Sequence, residues 1–141
     1  MDFNDTPDEA KFRADVRGWL EANAKLKSAD GFAAGNPRFQ RTEAESLKAA
    51  KAWQKKKAEK GYARITWPKE WGGLGGTPIQ SVIYGQEESK FDVPTGFFEI
   101  GLGMCIPTLM TYAEKDVLAR YVKPALLGEE IWCQLFSEPS A

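Results

Sequence analysis

Three threonines along this chain, Thr6, Thr42 and Thr77, stand ahead of a helical run and are followed three residues later by Glu9, Glu45 and Gln80. In such a pair the threonine hydroxyl accepts from the backbone N–H three residues on. The longer side chain reaches back to the threonine N–H, so a helix N-terminus is satisfied from both directions. Pro7 and Pro78 stand at the first helical position, where the missing proline N–H has no partner to lose. Three helix starts are fixed in this way before any periodicity is considered, and a 141-residue chain with helices opening near residues 7, 43 and 78 is mainly helical.

The apolar spacing agrees. Phe12, Val16, Trp19 and Leu20 recur on one face of the first helix. Leu47, Ala50 and Trp53 line the second, and Gly61 is placed to end it. Ile79, Val82 and Ile83 supply the expected buried side of the third, which runs to about Lys90. Between the first two helices, "SADGFAAGNPRF" reads as a loop. From Thr95 to Tyr112 the chain is apolar with little period, which predicts a helical segment buried on most sides, divided in two by Pro107. Gly101 and Gly103 thin its surface for something that approaches closely. "AEKDVLARYVKPALLG" predicts one more helix, with Val117, Leu118, Tyr121 and Val122 buried and Pro124 near its end.

After Gly128 the character changes. "IWCQLFS" is apolar and aromatic in a window too short for a typical helix, and it reads as a strand. A lone strand behind a set of helices has nothing to pair with. The expectation is a helical domain over residues 1–128 and the first residues, 129–141, of a β domain that continues elsewhere, so that this is the front part of a longer protein. With Ile131, Trp132, Leu135 and Phe136 unpaired, the last ten residues are expected to be disordered or to associate.

Several function classes fall away. A net charge of −1 creates no field toward nucleic acid or anionic lipid. The lysines of "KAWQKKKAEK" read as a solvated helix face beside Glu43, Glu45 and Glu59. The "WGGLGG" connector lacks the Gly-Lys-Ser/Thr of a phosphate loop, and Trp53, Trp67 and Trp71 read as packing. No histidine is present, which removes Ser-His and Cys-His pairs and His-ligated metals from this chain. Cys105 and Cys133 form neither a zinc motif nor a disulfide framework, so no metal site is expected and a reduced, cytoplasmic protein is the simplest reading. The N-terminus lacks the regions of a signal peptide. The longest apolar stretch is interrupted by Glu99 and Pro107, so no membrane span is expected.

Three stretches, "WPKEWGG", "LARYVKPALLGEE" and "CQLFSEPSA", stand in the order and at the approximate spacing of the acyl-CoA dehydrogenases, and the chain resembles that family over essentially its whole length. It departs from the family at residues 113–118, where a Gly-Thr-x-x-Gln-Lys run is usual. The resemblance implies an all-α fold: the family's helical N-terminal domain, ending in the first strand of a truncated β domain. It also implies an FAD-dependent oxidoreductase of fatty acid metabolism that converts an acyl-CoA thioester to the trans-2-enoyl-CoA. The glutamate base would lie outside this chain, no catalytic residue is assigned within it, and the fragment alone would be inactive. Glu138 is read as a strand-end acceptor. Carried over residue by residue, Ser137 would hydrogen-bond the flavin near N5, with Gln134 and Phe136 beside the ring. Phe98, Glu99, Leu102 and Gly103 would form one wall of the acyl pocket. Glu99, an acid in an apolar run, must be paired, solvated or facing a cavity. Implied partners are the acyl-CoA substrate, an electron-transfer flavoprotein or similar acceptor, and further copies in a homo-oligomer. Two alternatives stay open: a non-catalytic helical interaction module, and another flavoenzyme of this fold, such as an acyl-CoA oxidase or a nitroalkane-oxidising enzyme.

Overall fold

The computed structural model describes residues 4–27 and 42–135. Its principal helices are α1 (Pro7–Asn23), α2 (Glu43–Lys60), α3 (Pro78–Glu88), α4 (Ile106–Tyr112) and α5 (Lys115–Leu126). All three capping boxes are formed, each with both reciprocal hydrogen bonds. Gly61 ends α2 in the left-handed region at φ 83°. The loop expected at residues 28–39 lies outside the described residues.

One element was absent from the sequence reading. Lys25–Leu26 (β1) and Phe91–Asp92 (β2) pair antiparallel, Lys25 opposite Asp92 and Leu26 opposite Phe91. This small ribbon ties the exit of α1 to the exit of α3. The strand expected over Ile131–Ser137 is not formed in its described part: Ile131–Leu135 are neither helix nor strand. The only sheet among the described residues is β1–β2, and that segment does not pair with it.

Two apolar clusters carry the packing. In the first, Val16 and Leu20 of α1 meet Trp53 of α2, Tyr62 and Ile65 of the connector, Tyr84 of α3 and Phe91 of β2. Val16 and Leu20 are wholly buried, each contributing about 2 kcal/mol. The second gathers Ala58 and Trp67 with Leu102, Ile106, Leu118, Val122, Ala125 and Leu126. Gln54 of α2 crosses into it, donating from Nε2 to the Leu126 carbonyl at 2.8 Å.

Two expectations are corrected. On α3, Ile83 is buried as expected, but Ile79 and Val82 are exposed, and Tyr84 and Glu87 complete the buried side in their place. Electrostatics set that face: Glu87, wholly buried, is met by Arg13 and Arg17 of α1 and by Lys90, at 3.1, 3.0 and 2.8 Å. The second correction concerns Pro107, which does not divide its segment. Helix begins at Glu99 and continues through Tyr112, with Gly101–Cys105 wound as a π-helical turn in which the Ile106 N–H reaches the Gly101 carbonyl. A proline inside an α-helix clashes with the carbonyl four residues back. The wider turn, with Gly103 at that place, gives it room. This segment is also less enclosed than expected, since Ile100, Met104 and Tyr112 are exposed.

The buried carboxylate gives stability a pH signature. Hydrogen bonds from Arg17, working against burial and joined by those from Lys90 and Arg13, hold Glu87 down from 4.5 to about 2. A depressed carboxylate stabilises fully above its unfolded value and loses that contribution as pH falls through its folded value. Glu87→Gln is expected to lower the unfolding free energy by about 3 kcal/mol near neutral pH, because Arg17 and Lys90 lose their counter-charge and Arg13 is left with Asp5 alone. The gap to wild type should close between pH 4.5 and about 2 in urea melts. A gap that stays constant across that window would contradict the assignment.

Candidate functional site

The connector between α2 and α3 folds back on itself. Leu74 and Gly76 donate their N–H groups to the Ile65 carbonyl, Gly75 to that of Trp67 and Gly73 to that of Pro68. The approach at Gly73 is so close that a Cβ there would lie 2.1 Å from the Trp67 carbonyl oxygen and 2.6 Å from that of Arg64. The glycine-rich run therefore serves backbone packing, and it sets residues 62–66 rigidly between α2 and α3.

A cleft of about 280 Å³ opens there. Trp53 and Lys57 of α2, Arg64 of the connector, and Tyr84 and Glu88 of α3 line it, and Phe98, Glu99 and Leu102 close the far side. Three of the four residues expected in an acyl wall are thus brought together. Phe98 is half-buried, Leu102 is buried, and Glu99 is exposed at the rim. Gly103, the fourth, is exposed and outside the lining, but a Cβ there would come within 3.3 Å of the Arg64 Nη2.

The cleft is polar at two places. At α3, Glu88 Oε1 accepts from Trp53 Nε1 at 3.0 Å and from the Tyr84 hydroxyl at 2.9 Å, with Lys57 Nζ at 3.5 Å. Burial, with Glu88 beside it, pushes the Tyr84 phenol well above its ordinary range, so it stays a neutral donor. At the rim, burial works to raise the Glu99 carboxyl. Hydrogen bonds from the Gly96 and Phe98 N–H groups at 2.8 and 3.0 Å outweigh it and hold the group below its usual value. Glu99 is thus a charged acceptor occupied by backbone, which answers its place in an apolar run. Burial draws the Arg64 guanidinium below its ordinary value, and the charge of Glu99 opposes that shift. Sequence reasoning missed Arg64, Tyr84 and Glu88. The signal available was Arg64 itself, a lone charge between Tyr62 and Trp67, the same anomaly that drew attention to Glu99.

Of the residues expected at a flavin, Phe136 and Ser137 lie outside the described residues, as do Glu138 and Pro139. Gln134 is half-buried. Its segment runs along the π-helical turn: Trp132 covers Gly101, where a Cβ would meet the Trp132 Cβ at 3.0 Å, and the Trp132 ring stands edge-on to Tyr121 at 5.3 Å. The close approach foreseen at Gly101 is that of Trp132. The turn that sends Leu102 into the cleft therefore carries the Gln134 segment against its Gly101 side. The Gln134 side-chain amide can both donate and accept a hydrogen bond.

Residues 6–129 match the family model described as acyl-CoA dehydrogenase, N-terminal domain. The chain belongs to the acyl-CoA dehydrogenase family. Acyl-CoA dehydrogenase IpdE1 of Mycobacterium tuberculosis is 31% identical over 134 residues, which are 95% of this chain and 34% of that protein. This acyl-CoA dehydrogenase domain thus spans about a third of the length of that relative. Its fold is shared with a solved structure described as the Tcur3481-Tcur3483 steroid ACAD, at a TM-score of 0.67 and 20% identity, over 100% of this chain and 34% of that one. It is shared also with the ChsE4-ChsE5 complex from Mycobacterium tuberculosis, at 0.63 and 18%, over 92% and 30%. Among the described residues no helix is long and apolar enough to cross a membrane, and no group of His, Cys, Asp and Glu could hold a metal ion.

Gly73→Ala is expected to cost about 3 kcal/mol or to prevent folding, since the clash is with backbone. Gly18→Ala, on the open face of α1 with nothing within 4 Å, is expected to stabilise by about 0.5–1 kcal/mol. Thermal unfolding of both variants checks the contrast, and equal effects at the two positions would refute the connector geometry.

Proposed function

We propose that this domain supplies one wall of the acyl cleft in an FAD-dependent dehydrogenase that converts an acyl-CoA thioester to the trans-2-enoyl-CoA. The observation that carries the reading is the placement of Phe98, Glu99 and Leu102, at the start of one helical segment and just before it, along a cleft in a chain that matches the family over residues 6–129. Phe98 and Leu102 would grip the acyl chain and keep water from it. The hydrogen-bonded Glu88 cluster would keep α2 and α3 at a fixed separation around it. Gln134, Phe136 and Ser137 would hold the edge of the flavin, which when bound accepts a hydride from the substrate β-carbon. No acid of this chain is assigned the role of the base, which would come from a part of the enzyme beyond it, so the 141 residues alone should be inactive.

The same reading extends to partners. One structural neighbour is the ChsE4-ChsE5 complex, and the other is described by the paired names Tcur3481-Tcur3483. An oligomeric enzyme is proposed here, with the exposed Ile100 and Met104 as part of the surface that a neighbouring domain or chain covers. A cytoplasmic setting and an electron-transfer flavoprotein or similar acceptor complete the proposal.

Anaerobic titration with acyl-CoA of the flavin-loaded enzyme that contains this domain should bleach the oxidised flavin band. The 141-residue chain alone should show no turnover. Phe98→Ala should shift kcat/KM toward bulkier acyl groups by about tenfold. Failure of every acyl-CoA to bleach the flavin would sink the proposal.

A further inference from the structure

A second groove, of about 520 Å³, opens where the end of α1 and the strand β2 meet α2. Helix α2 runs past both spaces. It presents Ala50, Gln54 and Lys57 to the cleft, and Ala49, Ala52 and Lys56 to the groove. The two linings have only Trp53 and Pro94 in common. Those two side chains therefore form the partition between cleft and groove, and the indole is its larger part.

The partition is fixed in place. Trp53 is buried, its Nε1 donates to Glu88 Oε1 at 3.0 Å, and its ring lies against that of Trp19 with centroids 5.4 Å apart. Glu88 is itself placed by the Tyr84 hydroxyl and by Lys57. An indole that swung aside would give up a hydrogen bond to a charged acceptor, so the wall stays shut. Beyond it, Ala24, Ala49, Ala52 and Val93 give the groove small or apolar side chains along which a hydrocarbon could lie.

We infer that Trp53 is a specificity-determining residue that caps the length of acyl chain the cleft accepts, by closing it off from this groove. The inference rests on the reading of the cleft as the acyl site. Each methylene that leaves water for apolar surroundings tightens binding about fourfold. A chain that has reached a rigid wall gains nothing from the next methylene and must crowd what surrounds it. A smaller side chain at position 53 would join cleft to groove and give further methylenes a place. The step is recognition alone, with no bond made or broken.

The test is calorimetric binding of non-reacting, straight-chain thioether analogues of acyl-CoA, in a series of increasing length, to the flavin-loaded enzyme that contains this domain. In wild type, affinity should climb about fourfold per methylene and then break off at one length. Trp53→Leu should bind the short analogues as wild type does, move the break to longer chains, and bind the longest analogue at least about tenfold more tightly than wild type. Trp53→Phe keeps a ring in the partition and should keep the wild-type break. Ala52→Phe, which fills the groove at an exposed position of α2, should leave the wild-type series unchanged and cancel the gain in Trp53→Leu. An unmoved break in Trp53→Leu, with short analogues bound normally, overturns the role of Trp53 and leaves the acyl cleft standing. Two further results overturn it even if Trp53→Leu does not fold: a wild-type series with no break, and a loss of long-chain binding in Ala52→Phe alone, which would mean the chain already enters the groove. No binding of any analogue to wild type removes the acyl cleft itself, and this inference with it.

Discussion

The last turn of α3 carries two adjacent carboxylates, and the arrangement of the other helices depends on them. Neighbouring residues on an α-helix point about 100° apart, so Glu87 and Glu88 serve different partners. Glu87 turns to α1, where Arg13 and Arg17 meet it. Glu88 turns to α2, where Trp53 and Lys57 meet it. The buried Glu87 without its cations would be strongly destabilising, so α1 is held to α3 by the cost of any other arrangement, while the half-buried Glu88 links α3 to α2 through Trp53 and Lys57. The separation of α2 and α3 is the width of the cleft, and the same carboxylate that sets it is part of the lining.

The connector completes this frame from the third side. Its glycines allow backbone to lie against backbone, which places Ile65 in one apolar cluster and Trp67 in the other, while Arg64 lines the cleft. The helical segment beyond β2 brings Phe98 and Leu102 over the opening, and its π-helical turn receives Trp132 on the Gly101 side. One turn of chain thus joins the cleft wall to the segment bearing Gln134.

The helix starts were legible because a capping box is local: Thr6, Thr42 and Thr77 announce their helices within four residues. Gly61 was legible for the same reason. The buried face of α3 was not, because hydrophobic spacing ranks Ile79 and Val82 above a glutamate and cannot see the arginines waiting on α1. Pro107 was misread because its accommodation depends on a widened turn, which no local propensity encodes. Phe98, Glu99, Leu102 and Gly103 were singled out through family resemblance, and the first three line the cleft. Glu88 and Arg64 were hidden since their roles come from residues distant in sequence, such as Trp53, 35 positions from Glu88. Of the residues expected at a flavin, only Gln134 falls among the described residues.

The central claim is that this cleft holds the acyl chain, and photolabelling tests it most directly. An acyl-CoA bearing a diazirine at its acyl terminus would be irradiated with the flavin-loaded enzyme and the labelled peptides mapped by mass spectrometry. The account predicts labels within residues 62–66 and 94–102, competed away by unlabelled substrate. Substrate-protected labels that map wholly outside these two segments would contradict it.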